Sequence, residues 1–264
     1  MFIQRPDADL HVLRFGQGPL TLLAVGGWIG SGEIWLDLFG HLPHWRCVAV
    51  DHRGTGSTTQ RGAITVEPMA DDLLAVADAL GLESCVLAAE SAGAAVALRA
   101  IQKAPSRFLG QVLVGPAWQR VEPGAQDNFI AQLQRDYAAT LRTFVDNCLP
   151  ETLSVDLRRW ALQMLLRADV ADAVELLRCR TLLPPDDALP HLTLPTLLLH
   201  GTQDRIVPVA ASRQLAARLA QCDLHELPGL GHVPIVTAPG DMASRIDSFG
   251  QRLPLVGAAS HRLP

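Results

Sequence analysis

The sequence predicts an α/β fold, a mostly parallel central sheet with helices on both faces. Three observations lead there. Short apolar runs alternate with helical patterns along the chain; each run is apolar throughout, as a strand covered on both faces must be; and the runs end in glycines or in polar residues, where loops at strand carboxyl ends would begin.

In chain order, "LTLLAV" (20–25) ends in Gly26-Gly27, "CVAV" (47–50) in Asp51, and "CVLAA" (85–89) in Glu90-Ser91. "QVLVG" (111–115) runs into Pro116, and "PTLLLHG" (195–201) into a loop carrying Asp204. A weaker strand, "DLHELP" (223–228), follows a helix over 208–221. All are of strand length and rich in Val or Leu. The stretch "EPMADDLLAVADAL" (67–80) reads as a helix, with Pro68 near its start and Gly81 just past its end.

Residues 117–190 break the alternation. They carry no strand pattern but several amphipathic stretches: "NFIAQLQRDYAATLRTFVDN", "SVDLRRWALQMLL" and "ADAVELLRC". Leu133, Tyr137, Leu141 and Phe144 fall on one helical face, and Pro150, Pro184-Pro185 and Pro190 punctuate the segment. The expected organisation is a core of residues 1–116 and 191–264 with a helical insertion, 117–190. Residues 253–264 carry no pattern and read as a loose tail.

Composition narrows the class. A chain of 264 residues that is 48% hydrophobic can build a sizeable core. A net charge of −5 with a single lysine, Lys103, leaves no electrostatic footprint for nucleic acid. The five cysteines are scattered and lack a CxxC pair, which points to reduced cytoplasmic thiols rather than a disulfide framework or a zinc site. The start, MFIQRPDADL, has no signal-peptide pattern, and no apolar run reaches the ~18 residues of a membrane span. The expectation is a soluble cytoplasmic protein with no nucleic-acid or membrane partner and no metal or cofactor; a homo-oligomer stays open.

The chemistry centres on "VLAAESAGAAVAL" (86–98). A strand that enters a helix through one sharp turn can lift a single side chain above the sheet, provided that the residues two before and two after it are small. Ala89 and Gly93 meet that condition around Ser91. Such an elbow presents a nucleophilic serine, and the helix starting at Ala92 supplies backbone N–H groups for a developing oxyanion. Ser91 could instead merely cap a helix. The partners a nucleophile needs decide between the two readings: a base, and a carboxylate to orient it. Asp204 in "HGTQDRIVP" and His232 in "LPGLGHVP" lie in loops leaving strand carboxyl ends, in the order Ser, Asp, His. His200, within a strand end, is a rival base that reads as packing or bonding locally. Glu122 and Asp223 are rival acids, but the first opens the insertion and the second begins a strand. Glu90 is assigned no role.

On these residues the chain resembles the α/β-hydrolase fold family over nearly its whole length. That family carries His-Gly-x-x-Gly after its first long strand; here Gly26-Gly27-Trp28-Ile29-Gly30 stands there, with Gly26 in place of histidine. The resemblance implies that the backbone N–H of Trp28 faces the oxyanion beside that of Ala92. The family's Asp-x-Arg-Gly-x-Gly-x-Ser stretch is matched by Asp51, Arg53, Gly54 and Gly56, with Thr58 last, and is a structural turn. The insertion resembles a cap domain, with Trp160 and Met164 among side chains able to line an apolar acyl pocket. A dinucleotide site is disfavoured, because "GGWIGSGEIW" does not spell GxGxxG. The resemblance implies a serine hydrolase that cleaves an ester or related acyl bond of a small, largely apolar molecule through an acyl-enzyme, with no cofactor. A lactonase, thioesterase, carbon–carbon bond hydrolase, cofactor-free perhydrolase or non-enzymatic ligand sensor of the same fold remains open.

Overall fold

The computed structural model describes residues 1–152, 155–180, 183 and 193–254. One nine-stranded sheet organises them. Its strands are β1 (Phe2–Arg5), β2 (Ala8–Phe15), β3 (Leu20–Val25), β4 (Trp45–Val50), β5 (Thr59–Gln60), β6 (Cys85–Glu90), β7 (Phe108–Val114), β8 (Thr196–Gly201) and β9 (Cys222–Leu227). Their order is β1-β2-β4-β3-β6-β7-β8-β9, with β5 paired to β2. Every pairing from β4 across to β9 is parallel. The antiparallel edge of β1, β2 and β5 precedes or flanks the region where the sequence pattern is strongest. In β2, Ala8, Leu10 and Val12 are buried while Asp9, His11 and Leu13 are half-buried, so its period of two is the mark of a strand covered fully on one face only.

The helices are α1 (Leu36–Gly40), α2 (Val66–Ala79), α3 (Gly93–Lys103), α4 (Asp127–Arg135), α5 (Tyr137–Cys148), α6 (Val155–Leu165), α7 (Val170–Cys179), α8 (Val209–Ala216), α9 (Pro234–Thr237) and α10 (Pro239–Gly250). The chain steps one way along the sheet from β3 to β4 and the other way from β6 onward. Right-handed crossovers therefore place α1 on one face and α2, α3 and α8 on the other. The reversal opens a crevice at the carboxyl ends of β3 and β6, where open α/β sheets bind ligands. No helix among the described residues is long and apolar enough to cross a membrane.

Helices α4 to α7 all lie between β7 and β8 in the chain. The long amphipathic pattern starting at Asn128 is two helices rather than one. Asp136 sits in an extended conformation between them, and its carboxylate accepts the Ala139 N–H at 3.0 Å, capping α5. Pro184-Pro185, Pro190 and the expected 190/191 boundary lie outside the described residues, as do residues 255–264 of the expected tail.

The Asp51–Thr58 stretch is a structural staple. The Asp51 carboxylate accepts the N–H groups of Gly32 at 2.7 Å and Ser57 at 2.8 Å and faces His11 at 2.9 Å. The Arg53 guanidinium is fully buried, paired through two hydrogen bonds to Asp72 and two to Asp7. A buried charge so held is stable only while its partners remain. Arg53→Leu should therefore lower the unfolding free energy by up to about 3–5 kcal/mol, because it leaves the buried Asp72 carboxylate to the partly exposed Arg5, 3.2 Å away. Urea unfolding of the two proteins measures it, and a shift under ~1 kcal/mol would show that the cluster contributes little.

Candidate active site

Ser91 leaves β6 with φ of 49°, and it is the only non-glycine among the described residues at positive φ. That conformation costs of order 1–3 kcal/mol and persists only where the surroundings enforce it. Here the Ser91 N–H donates to Val114 O at 2.9 Å and the Ser91 carbonyl accepts from the Ala117 N–H at 3.0 Å. The turn also brings α3 against the loop after β3, so that a Cβ on Gly93 would collide with the carbonyl of Gly26. Only glycine fits there.

Above this corner stands His232. Its Nε2 lies 2.9 Å from Ser91 Oγ and its Nδ1 2.7 Å from Asp204 Oδ2. A carboxylate cannot donate, so the ring proton belongs on Nδ1, and Nε2 is left to accept from the serine hydroxyl. The His232 backbone N–H donates to Cys148 O at 2.9 Å, at the end of α5.

Asp204 is saturated with donors. Its Oδ1 accepts the N–H groups of Ile206 at 2.8 Å and Val207 at 2.9 Å, and its Oδ2 faces both His232 and His200 Nε2, the latter at 3.1 Å. His200 Nε2 also lies 2.9 Å from Val207 O. Both of those neighbours are acceptors, so His200 carries its proton on Nε2 and receives the Ser212 hydroxyl at Nδ1, 2.7 Å away. Burial opposes ionisation of Asp204, yet the hydrogen bonds from His200, His232 and Val207 outweigh it and hold the carboxyl far below its ordinary range.

Glu90 has the opposite balance. Its Oε1 lies 3.4 Å from His232 Nε2, and burial pushes its carboxyl well above the usual carboxylate range against the opposing pull of His232 and the Gly27 N–H. His232 itself is raised: burial lowers it, but the Asp204 hydrogen bond and the charges of Glu90 and Asp204 prevail.

Of the residues singled out in the sequence, Ser91, His232 and Asp204 are thus brought together in one hydrogen-bonded chain. Trp28 and Ala92 flank Ser91, and no hydrogen bond among the described residues engages the backbone N–H of either. The Trp28 indole N–H instead donates to Ala173 O at 2.8 Å in α7. The rival acids lie elsewhere: Glu122 is exposed, and Asp223 pairs with Arg252 at 3.0 Å. Sequence reasoning missed the contact of His200 with Asp204, whose only trace is the four-residue spacing across a turn. It also missed the approach of Glu90 to His232, signalled by one acidic residue set in an apolar run. Among the described residues, no group of three or more His, Cys, Asp or Glu side chains is disposed to hold a metal ion.

A family model described as alpha/beta hydrolase fold matches residues 21–239. The chain is 28% identical over 256 residues to a protein assigned as a carbamate hydrolase, RutD, of Caulobacter sp. (strain K31), spanning 87% of this chain and 90% of that one. It is 27% identical to a pimeloyl-[acyl-carrier protein] methyl ester esterase of Vibrio vulnificus (strain YJ016), spanning 92% and 98%. Among solved structures, a thermophilic esterase from Thermogutta terrifontis superposes with a TM-score of 0.83 at 26% identity, covering 92% of this chain and 93% of that one.

The proximity of Glu90 generates a direct test. An ionised carboxylate stabilises the imidazolium beside it, so Glu90→Gln should lower the pKa of His232. NMR titration of the imidazole checks this; an unchanged or higher value would mean that the carboxylate does not act on the ring.

Proposed function

The chain belongs to the alpha/beta hydrolase fold family, and we propose that it is a serine hydrolase that cleaves an ester, or a related acyl bond, of a small molecule. The observation that carries this reading is the unbroken chain Asp204–His232–Ser91, with Ser91 held at a left-handed φ above the sheet. Relatives named as ester- or carbamate-cleaving hydrolases over about nine-tenths of the chain support it.

The reaction is acyl transfer in two halves. His232 Nε2 takes the Ser91 hydroxyl proton as Oγ forms a bond to the carbonyl carbon, and Asp204 stabilises the resulting imidazolium. The backbone N–H groups of Trp28 and Ala92 hold the oxyanion. The carbon–oxygen bond to the alcohol breaks, and the imidazolium proton leaves with that alcohol. A water molecule then attacks the acyl-enzyme, giving its proton to His232; the Ser91–acyl bond breaks, the proton returns to Oγ, and the acid departs. The helices of 117–190 act as a cap over this site, and substrate selectivity lives there.

Ser91→Ala or His232→Ala should reduce kcat toward an activated ester by about 10⁴ to 10⁶, and Asp204→Ala by somewhat less. Kinetics on p-nitrophenyl esters decide it; an Asp204→Ala protein of full activity would show that this carboxylate does not orient the base. The base must be neutral to accept a proton, and His232 is raised above its ordinary value. The kcat/KM profile should therefore climb with pH through a midpoint above about 6.5. A profile flat from pH 5 to 9 would eliminate a histidine base.

A further inference from the structure

Ser91 stands where two cavities meet, and they differ in chemistry. The first, about 580 Å³ counting space open to solvent, is largely apolar, lined by Val145, Leu149, Trp160, Met164 and Val236, with Glu90 and His232 beside Ser91. The second, about 1060 Å³ counting space open to solvent, is mixed: Gln126, Gln132, Thr143, Asn147 and Arg205 stand among apolar walls such as Phe129 and Leu177, with no Asp or Glu among its described lining residues. Trp28 and Phe144 border both. Their rings meet edge to face, with centroids 5.1 Å apart, as a partition beside the serine.

Resting on the serine-hydrolase reading above, we propose that an ester binds across this partition in one orientation. Its alcohol half enters the apolar pocket, and its acyl half, bearing a polar or anionic group, lies in the mixed groove with Arg205 at its edge. Proton delivery sets the orientation. The departing oxygen must receive its proton from His232 Nε2, and His232 borders the apolar pocket and not the groove. The alcohol chain continues from that oxygen into the space beside His232. The acyl chain points away from it across the carbonyl carbon, and the groove is the cavity on that side, bordered by Ala92. Charge agrees with geometry. Glu90 is buried in the apolar pocket and burial there already opposes its ionisation, so a carboxylate brought in with the substrate would meet the same desolvation cost. Arg205 is exposed and forms no ion pair among the described residues, leaving it open to an anion. The apolar pocket beneath the insertion, expected from the sequence to hold the acyl chain, thereby falls to the alcohol.

The test uses isomeric esters. Monomethyl esters of α,ω-dicarboxylates carry a carboxylate on the acyl half; acetate esters of ω-hydroxycarboxylates carry it on the alcohol half. Each is compared with a neutral ester of equal length. The carboxylated acyl should keep kcat/KM at or above that of its neutral partner, whereas the carboxylated alcohol should lose about 100-fold or more, the penalty of a charge placed in an apolar site. Arg205→Gln should lower the anionic-to-neutral ratio for acyl groups by about two- to fivefold, as removal of an exposed charge does. Met164→Ala should lengthen the preferred alcohol without moving the acyl-length optimum. The mirrored selectivity, an equal penalty on both halves, or a Met164→Ala effect confined to acyl length would overturn the orientation while leaving serine hydrolysis intact. A wild-type protein that turns over none of the neutral esters overturns the underlying reading, and the orientation falls with it.

Discussion

The close approach of the β6–α3 corner to the loop after β3 is the constraint on which the rest of the molecule depends. Ser91 occupies a backbone region that side chains disfavour, and three main-chain hydrogen bonds, to Val114 and from Ala94 and Ala117, hold it there. The alanines around it follow from the same constraint. Ala88, Ala89, Ala94, Ala95 and Ala97 are all buried, and larger side chains would hold α3 away from the sheet. The reversal of strand order at β3 then places the Gly27–Trp28 loop and Ser91 on one crevice. Fold and site share a single piece of geometry.

Two buried carboxylates within reach of one imidazole behave in opposite ways because their donors differ. Asp204 receives N–H groups from Ile206, Val207, His200 and His232, and stays ionised despite burial. Glu90 has the Gly27 N–H and His232 for company, and burial prevails. Such divergence between neighbouring titratable groups marks sites built for proton transfer rather than for stability alone.

Much of this was legible in the sequence because the physics involved is local. Apolar runs of strand length locate β3, β4, β6, β7 and β8 to within a few residues, since a strand covered on both faces must be apolar throughout. The order Ser91, Asp204, His232 was readable because each follows a strand. The antiparallel edge was harder, as β1 and β2 are half-exposed and their alternation is mixed with charged residues. The break at Asp136 was hidden because the apolar stripe runs on through it, and only the non-helical backbone of Asp136, whose side chain caps the start of α5, separates the two helices. The approach of Glu90 to His232 joins residues distant in the chain, and that of His200 to Asp204, though only four residues apart, exists only once the turn after β8 has formed.

The indole of Trp28 hangs from the carbonyl of Ala173 in α7, while Gln60 bonds Asp172 at 2.9 Å and Arg167 grips Glu33 at 2.7 and 2.8 Å. The helical segment is thus riveted to the loops of the sheet at several points, and one rivet is a wall of the crevice itself. Exchange of this segment with that of another lineage would replace the anchor of Trp28 along with the lining of the cavities. In such a scaffold, replacement of the segment is coupled to adjustment of the Trp28 loop, whereas point changes inside α5 and α6 can reshape the lining of the cavities and leave that anchor in place.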